Sequence, residues 1–261
     1  MPREDLFKFF KDRTYDAYEH ALKNKIMQSN MPKHMAIIMD GNRRFANMLN
    51  ISIHEGHLKG KDKLEEVLNW CLEFDIKILT IYALSSENLK RNANELNDLM
   101  TLFKENFYKL AEDERVHKYG IKLMVIGNIN VLPKDVQKAI NYALEKTNNY
   151  SNYLYNIAIS YGGRQEIVEA IKKIAMSVKE GKLNVDEINE NTVKNFLYTS
   201  NLPDPDIILR TSGEERISNF LLWQMAYSEL YFIDVYWPEF SKLDFMRAIY
   251  EYQKRQRRFG Q

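Results

Sequence analysis

The sequence has a single cysteine, Cys71, so the chain forms no internal disulfide, and this usage is typical of a reduced, intracellular setting. It has almost no net charge, because 37 basic and 36 acidic residues leave +1 at pH 7. A chain-wide basic field is therefore absent, and we expect no nucleic-acid partner. It also lacks the roughly 18 uninterrupted apolar residues of a membrane span and the apolar core of a signal peptide. These absences predict a cytoplasmic protein.

Common nucleotide and metal motifs are missing as well. No G-x-x-x-x-G-K-[ST] is present, and the segment YGGRQE at 161–166 is not G-x-G-x-x-G, which argues against P-loop and dinucleotide-binding folds. His54 and His57 lie three positions apart in HEGHLKG, which is not the spacing of the zinc motif H-E-x-x-H, and no cysteine cluster accompanies them. A zinc site is therefore not expected.

Apolar runs alternate with segments of helical periodicity along most of the chain. Six runs have the character of buried parallel strands: 34–39, 78–84, 121–126, 155–160, 206–210 and 230–236. Between most of them lie segments of helical spacing: 58–74, 95–118, 133–147 and 164–180. This alternation predicts one α/β domain over 31–261, with a central, mostly parallel six-stranded sheet flanked by helices.

Residues 1–30 have the pattern of a helical extension to this domain. Apolar residues recur there at roughly helical spacing, with basic residues between them: Leu6, Phe9, Phe10, Ala17, Ala21 and Met27. We expect a helix that packs on the domain, and a helix that lies in a membrane interface is the alternative.

A polar cluster follows each of the first five predicted strands. These clusters are DGNRR (40–44), SSENLKR (85–91), GN (127–128), YGGRQE (161–166) and TSGEERIS (211–218). Because the carboxyl ends of parallel strands meet at one edge of a sheet, the clusters predict a single anion site there. Several arginines with few acids indicate two phosphate groups or a diphosphate, and Asp40 adds a hard oxygen ligand that suits Mg²⁺.

The motifs HMAIIMDGNRRFA, EGHLKG, LTIYALSSENLKR, ISYGGRQEI, DPDIILRTSGEERISNFLLWQMAYSELYF and RRFG occur in this order within residues 31–260. With them the chain resembles the cis-prenyltransferases, the family of undecaprenyl diphosphate and dehydrodolichyl diphosphate synthases. That family joins isopentenyl diphosphate units to an allylic diphosphate primer, usually farnesyl diphosphate, with Mg²⁺. The resemblance implies the same activity, substrates and metal here, and a homodimer.

The resemblance also implies roles for individual residues. Asp40 is implied to be the central acid, acting through Mg²⁺, and Asn88 to assist proton removal from the incoming unit. Glu229 is implied to be a second metal carboxylate. Arg258 and Gly260 match a C-terminal R-x-G that reaches the site of the partner subunit. Substrate binding is implied for Gly41, Asn42, Arg43, Arg44, Phe45, His57, Ser85, Ser86, Glu87, Leu89, Arg91, Arg210, Arg216, Ile217 and Ser218.

A growing hydrocarbon product needs a dry tunnel, and the helical segment 95–118 offers an apolar stripe for its wall. Our hypothesis is that Leu99, Phe103, Phe107 and Leu110 form part of that wall. A larger residue at Phe103 is then expected to shorten the products.

The expected product follows from the branch of the family. Arg43, where many bacterial members have glycine, makes MPKHMAIIMDGNRRFA more similar to the eukaryotic dolichol-type branch. That similarity implies dehydrodolichyl diphosphate as the product and peripheral contact with the endoplasmic reticulum membrane. Two alternatives stay open: a synthase of undecaprenyl-length or shorter products, and a non-catalytic partner subunit. Two residues depart from the family pattern. Ile53 stands where many members have arginine, and Leu89 stands where bacterial members have tryptophan.

Overall fold

The computed structural model describes residues 17–255. A six-stranded sheet runs through it, formed by β1 (His34–Ile38), β2 (Ile78–Ser85), β3 (Ile121–Ile126), β4 (Tyr153–Tyr161), β5 (Ile207–Arg210) and β6 (Glu229–Phe232). The strand order is β3-β4-β2-β1-β5-β6, and every neighbouring pair is parallel. The predicted single α/β domain with a parallel six-stranded sheet is confirmed.

Helices flank this sheet. They are α1 (residues 17–27), α2 (Asn42–Leu49), α3 (Ile53–Glu73), α4 (Ala93–Glu112), α5 (Glu114–Tyr119), α6 (Lys134–Thr147), α7 (Gly163–Lys179), α8 (Glu190–Phe196) and α9 (Lys242–Lys254). Helices α2, α8 and α9 were not predicted from the sequence. Within residues 17–255, no helix is long and apolar enough to cross a membrane.

The central strand β1 is buried on both faces, as its continuous apolar run predicts. Met35 and Ile37 belong to the larger core cluster, which α1, α3, α4, α6 and α9 cover. Ala36 and Ile38 belong to the smaller cluster on the other face. Packing on both faces fixes the position of the polar segment that follows β1.

Local capping moves two predicted helix boundaries. Helix α3 begins at Ile53 rather than at 58, because Ser52 and Glu55 form a capping box in which each side chain accepts a hydrogen bond from the other's backbone N–H. The predicted helix 95–118 is interrupted at Asp113, whose backbone is extended and whose side chain caps α5 by accepting from the Arg115 N–H.

The last strand is shorter than predicted, ending at Phe232 instead of 236. The backbone beyond it pairs with the loop after β5. Ser212 N–H donates to the Val235 carbonyl at 2.8 Å, and Gly213 N–H donates to the Ile233 carbonyl at 2.9 Å. The segment that follows β6 thus holds the loop after β5 in place.

Helix α1 packs on the larger core through Leu22 and Ile26. The predicted apolar face is wrong in this part of the helix, because Ala17, Ala21 and Met27 are exposed. Leu6, Phe9 and Phe10 lie outside the described residues.

Candidate active site

The carboxyl edge of the sheet forms a polar cleft with a volume of about 520 Å³. Most of the predicted site residues line it: Asp40, Gly41, Asn42, Arg43, Arg44, His57, Ser85, Asn88, Arg91, Arg210, Arg216 and Ser218. They come from positions as far apart as 40 and 218 in the chain, so parallel strand packing is what brings them together.

Asp40 lies at the centre of the cleft, just after β1. Its Oδ1 accepts a hydrogen bond from Arg44 Nη2 at 3.0 Å, and its Oδ2 accepts one from Arg210 Nη2 at 2.7 Å. The Asp40 backbone is fixed by the Thr211 hydroxyl and by the Trp237 N–H, which donates to the Asp40 carbonyl at 3.0 Å. Burial by itself raises the pKa of the Asp40 carboxyl, but the two guanidinium groups outweigh it and hold this pKa below its ordinary value. Asp40 is therefore an anion at neutral pH.

Gly41 makes the sharp turn that joins β1 to α2. Its φ is 112°, in the left-handed region, and a Cβ built on it would lie 2.9 Å from the Tyr236 ring. The turn places Arg43 and Arg44 in the cleft and buries Phe45 in the protein interior. Phe45 therefore supports the turn without lining the cleft.

Arg210, the last residue of β5, organises the loop that follows it. Its Nη1 donates to the Ser218 hydroxyl at 2.8 Å and to the Arg216 carbonyl. The Arg210 side chain is only 4% exposed. Burial therefore removes water from the Arg210 guanidinium, and the ion pair with Asp40 offsets the free-energy cost of that desolvation.

Glu95, which was not among the predicted site residues, lies behind the cleft. This buried carboxylate lies 3.0 Å from Arg91 Nη1, 3.4 Å from His57 Nε2 and 3.8 Å from Arg43 Nε. Burial lowers the pKa of His57 below its ordinary value, and Glu95 offsets only part of that effect. Arg91 precedes α4 and Glu95 lies in its first turn, and their spacing of four residues was the signal that could have identified this pair.

Glu214 is a second acid that was not predicted. Its Oε1 accepts from Arg44 Nη1 at 2.8 Å, and its other oxygen accepts from Arg216. Together with Asp40 and Glu95, it neutralises part of the charge of the arginine cluster.

At the end of β2 and in the loop after it, some predicted residues face the cleft and others face away from it. Ser85 and Asn88 line the cleft, and the Ser85 hydroxyl accepts from the Asn88 N–H at 3.1 Å. Glu87 turns away and accepts from the Asn219 amide at 3.0 Å, while Ser86 donates to Glu87 at 3.1 Å. Ser86 and Glu87 therefore tie this loop to the loop after β5.

Two further predicted substrate-binding residues do not line the cleft. Leu89 packs against the larger core, and Ile217 is half-buried in the loop after β5, where its carbonyl accepts from the Phe220 N–H at 3.0 Å. Arg258 and Gly260 lie outside the described residues.

The structure does not bring Glu229 next to Asp40 within residues 17–255. Glu229 begins β6 and pairs in register with Ile207, at the amino end of the strands, whereas Asp40 follows their carboxyl ends. Its carboxylate accepts from Arg255 Nη1 at 2.8 Å. Among residues 17–255, no group of three or more His, Cys, Asp or Glu residues is placed to hold a metal ion.

Asp40 nevertheless fits a Mg²⁺ ion that is held mainly by a substrate. Proteins often bind Mg²⁺ through one or two carboxylates together with substrate phosphates. Each Asp40 oxygen accepts one arginine hydrogen bond and keeps a further lone pair. Asp40 is thus the protein carboxylate available to such an ion, in a cleft whose arginines can bind phosphate groups.

An apolar cavity of about 80 Å³ continues from the polar cleft. The two spaces share five lining residues: Met39, Asn42, His57, Ala83 and Leu99. The predicted wall residues Leu99, Phe103, Phe107 and Leu110 all line this cavity, between α3, α4 and the sheet. An anion site that opens into an apolar channel suits an amphiphile with a charged head and a hydrocarbon tail.

Comparison with known proteins agrees with this geometry. Residues 38–260 match the protein family described as "Putative undecaprenyl diphosphate synthase". The chain is 59% identical over 243 residues to the tritrans,polycis-undecaprenyl-diphosphate synthase (geranylgeranyl-diphosphate specific) of Thermoplasma volcanium, covering 93% of this chain and 94% of that protein. A protein of the same name from Thermococcus kodakarensis is 56% identical over 246 residues, covering 94% and 93% of the two chains.

These relatives are archaeal, so the predicted eukaryotic dolichol-type branch is wrong. Arg43 alone was not diagnostic of that branch. The expected contact with the endoplasmic reticulum rested on the same branch and is not supported.

Solved structures share the fold as well. Lavandulyl diphosphate synthase from Lavandula x intermedia, in complex with dimethylallyl diphosphate, superposes with a TM-score of 0.83 at 35% identity, covering 88% of this chain and 99% of that chain. A probable undecaprenyl diphosphate synthase from Campylobacter jejuni gives 0.72 at 34% identity, covering 89% and 100%. The chain therefore belongs to the cis-prenyltransferases, the family of undecaprenyl diphosphate synthases, and catalyses cis-prenyl chain elongation.

Proposed function

We propose that this chain extends geranylgeranyl diphosphate with isopentenyl diphosphate to a product of undecaprenyl length. The observation that carries the proposal is the continuity of the arginine-lined cleft with the apolar cavity. The choice of primer and product is supported by the names of the archaeal relatives, which state both and which match over nearly the whole chain.

We propose that the arginine-lined cleft of about 520 Å³ accommodates two diphosphates. Arg43 and Arg44 directly follow Asn42, which lines both the cleft and the apolar cavity, and we assign them to the allylic primer, whose tail must enter that cavity. Arg210, Arg216 and Ser218 lie together on the loop after β5, and we assign them to isopentenyl diphosphate.

The proposed catalysis is electrostatic. Loss of diphosphate from an allylic carbon develops negative charge on the leaving group, and fixed guanidinium groups stabilise it where it forms. Asp40 would hold a Mg²⁺ ion together with diphosphate oxygens, and that ion would act as a Lewis acid toward the leaving group. Asn88 lines the cleft with its backbone fixed by Ser85, and we propose that it assists proton removal from the incoming unit.

We also propose a homodimer in which Arg258 and Gly260 complete the site of the partner subunit. Glu229 lies at the other end of the strands from Asp40. A metal role for Glu229 therefore requires groups beyond those that surround it in residues 17–255.

The test is incorporation of labelled isopentenyl diphosphate by the purified chain with Mg²⁺ and detergent. Geranylgeranyl diphosphate and farnesyl diphosphate are compared as primers, and product lengths are resolved. We expect a ladder that ends at undecaprenyl length and a higher kcat/KM for geranylgeranyl diphosphate. Equal or better use of farnesyl diphosphate would contradict the primer proposal. No incorporation by a folded chain would favour the non-catalytic partner alternative.

A further inference from the structure

One part of the loop after β5 has an unfavourable backbone conformation. Ser218, Asn219 and Leu221 have φ values of 47°, 65° and 44°, in the left-handed region that residues with side chains rarely adopt. We refer to residues 218–221 as the strained stretch. Such a stretch persists only where surrounding groups hold it. Because Ser218 lines the cleft and is assigned to isopentenyl diphosphate, the groups that hold the strained stretch also shape that part of the site.

The Asn219 side chain connects the strained stretch to two other parts of the chain. Its Oδ1 accepts from the Arg164 N–H at 2.9 Å, and its Nδ2 donates to Gln165 Oε1 at 3.1 Å, both in the first turn of α7. Its Nδ2 also donates to Glu87 Oε1, in the loop after β2, at 3.0 Å. The Asn219 carbonyl accepts from the Gly163 N–H at 2.7 Å. One residue therefore joins the start of α7 to the loops after β2 and β5.

Asparagine suits position 219 for two reasons. It adopts the left-handed region more readily than most residues with side chains. Its short amide also offers an acceptor and a donor together, and both are needed, because a backbone N–H only donates and the Glu87 carboxylate only accepts. Glycine would meet the first requirement alone, and aspartate would bring a second carboxylate next to Glu87. The geometry therefore requires an amide at this position.

Other groups hold the strained stretch next to the cleft. The Ser218 hydroxyl accepts from Arg210 Nη1 at 2.8 Å, and the Ser218 carbonyl lies 3.2 Å from the Tyr82 hydroxyl. Tyr82 lines the cleft and stacks on Phe220, with ring centroids 4.6 Å apart. These contacts fix the strained stretch relative to β2 and β5.

Asn219 does not line the cleft, so it acts through its neighbours. It directly follows Ser218, which we assign to the diphosphate of the incoming unit, and it bonds to Glu87, which directly precedes Asn88. Proton removal requires Asn88 to meet the incoming unit in the correct geometry, and a displacement of about 1 Å can lower a rate by about 100-fold. The contact between Asn219 and Glu87 therefore links binding of the diphosphate to the placement of Asn88.

We propose that Asn219 is a positioning residue for isopentenyl diphosphate. It holds Ser218 in the conformation that binds the diphosphate, and it sets the place of this loop relative to Asn88. The inference rests on the proposed function, because it concerns how the same site receives its second substrate. It assigns a role to a residue that does not line the cleft.

Two substitutions separate the backbone from the amide. Asn219→Gly keeps the left-handed backbone and removes the side-chain hydrogen bonds, whereas Asn219→Asp keeps the acceptor for the Arg164 N–H and loses the donor to Glu87. We expect both variants to raise KM for isopentenyl diphosphate about tenfold and to lower kcat, because loss of a hydrogen bond to a charged group has effects of this size. Equilibrium binding of the allylic primer, measured without isopentenyl diphosphate, should stay within about twofold of the wild type.

A double-mutant cycle tests the contact with Glu87 directly. Glu87→Gln supplies an amide that can donate to the carboxylate introduced by Asn219→Asp, so the two substitutions together exchange donor and acceptor. We expect Asn219→Asp to lower kcat/KM for isopentenyl diphosphate less in the Glu87→Gln background than in the wild type. Equal losses in the two backgrounds would overturn the proposal.

Asn50→Gly is the matched control. Asn50 also has a left-handed φ, of 54°, but it is exposed and does not line the cleft. This variant should keep the wild-type constants for both substrates.

The outcomes distinguish this inference from the proposed function. A wild-type chain that incorporates no isopentenyl diphosphate contradicts the proposed function before any variant is compared. Incorporation by the wild type, together with unchanged constants in the folded Asn219 variants, overturns the positioning role alone. A loss of primer affinity as large as the rise in KM, or thermal unfolding of both variants below the assay temperature, would show that Asn219 acts only on stability and would overturn it as well.

Discussion

Arg210 donates a hydrogen bond to Asp40 Oδ2 at 2.7 Å, across 170 positions of sequence. The pair joins the ends of β1 and β5, and the Arg210 side chain is 4% exposed. One contact therefore both positions the central carboxylate and compensates a buried charge.

Asp40→Asn is expected to lower the rate of isopentenyl diphosphate incorporation by at least about 100-fold. An amide carries no charge for a metal ion and fails to balance Arg44 and Arg210, and removal of one preorganised electrostatic group has effects of this size. The measurement is incorporation of label at saturating substrates. Asp62→Asn is the control, because the Asp62 side chain is 68% exposed, and it should keep wild-type activity. Equal activity of the two variants would remove Asp40 from the mechanism.

Glu95→Gln is expected to raise KM for the allylic primer about tenfold, with a smaller change in kcat. Its carboxylate orients Arg43, His57 and Arg91, so its loss disturbs their positions without removing a group from the cleft. A factor of ten corresponds to about 1.4 kcal/mol, less than one charged hydrogen bond can contribute.

The matched control for this prediction is Asp98→Asn on the same helix, where the side chain is 49% exposed. Primer titrations at fixed isopentenyl diphosphate give both constants. An effect of Glu95→Gln confined to kcat would contradict a positioning role.

Phe103→Trp is expected to shift the ladder to shorter products. Phe103 lines the apolar cavity, and a larger ring there removes space from the channel. Tyr108→Trp serves as the control, because Tyr108 is 43% exposed on the same helix. Product lengths are compared by chromatography, and identical ladders from wild type and Phe103→Trp would exclude Phe103 from the wall.

His34 makes stability depend on pH. It is buried, with Nδ1 2.8 Å from the Pro203 carbonyl and Nε2 2.7 Å from the Thr80 hydroxyl, and burial lowers its pKa from 6.5 to about 4. Below pH 6.5 the unfolded chain takes up the proton first, so the free energy of unfolding falls until the folded pKa is reached. The shift of about 2.5 pH units predicts a loss of roughly 3 kcal/mol between pH 7 and about pH 4.

Urea unfolding across this pH range measures the effect. The His34→Gln variant should lose about this much less stability on acidification than the wild type. His20 is exposed, so the same substitution there should leave the wild-type slope unchanged. A His34→Gln slope equal to that of the wild type would contradict the assignment.

Much of the site was predictable, because each polar cluster directly follows a buried strand. Asp40 lies just after β1, Arg91 lies in the cluster after β2, and Arg210 ends β5. The topology of a parallel sheet then places all three at one edge. Glu95 and Glu214 escaped prediction because the fold brings them to partners that are distant in the sequence. Glu214 accepts from Arg44, 170 positions away. Glu95 meets His57, 38 positions away, only because α3 and α4 pack side by side.

The sequence by itself determined the strands, the parallel sheet and the polar clusters at its carboxyl edge, because apolar periodicity and turn residues are local properties. Tertiary packing alone decided which predicted residues share a site. Phe45 is buried below the cleft, and Glu229 lies at the opposite end of the strands from Asp40. It also formed the apolar cavity, because side chains of α3 and α4 line a common space only after the two helices pack on the sheet.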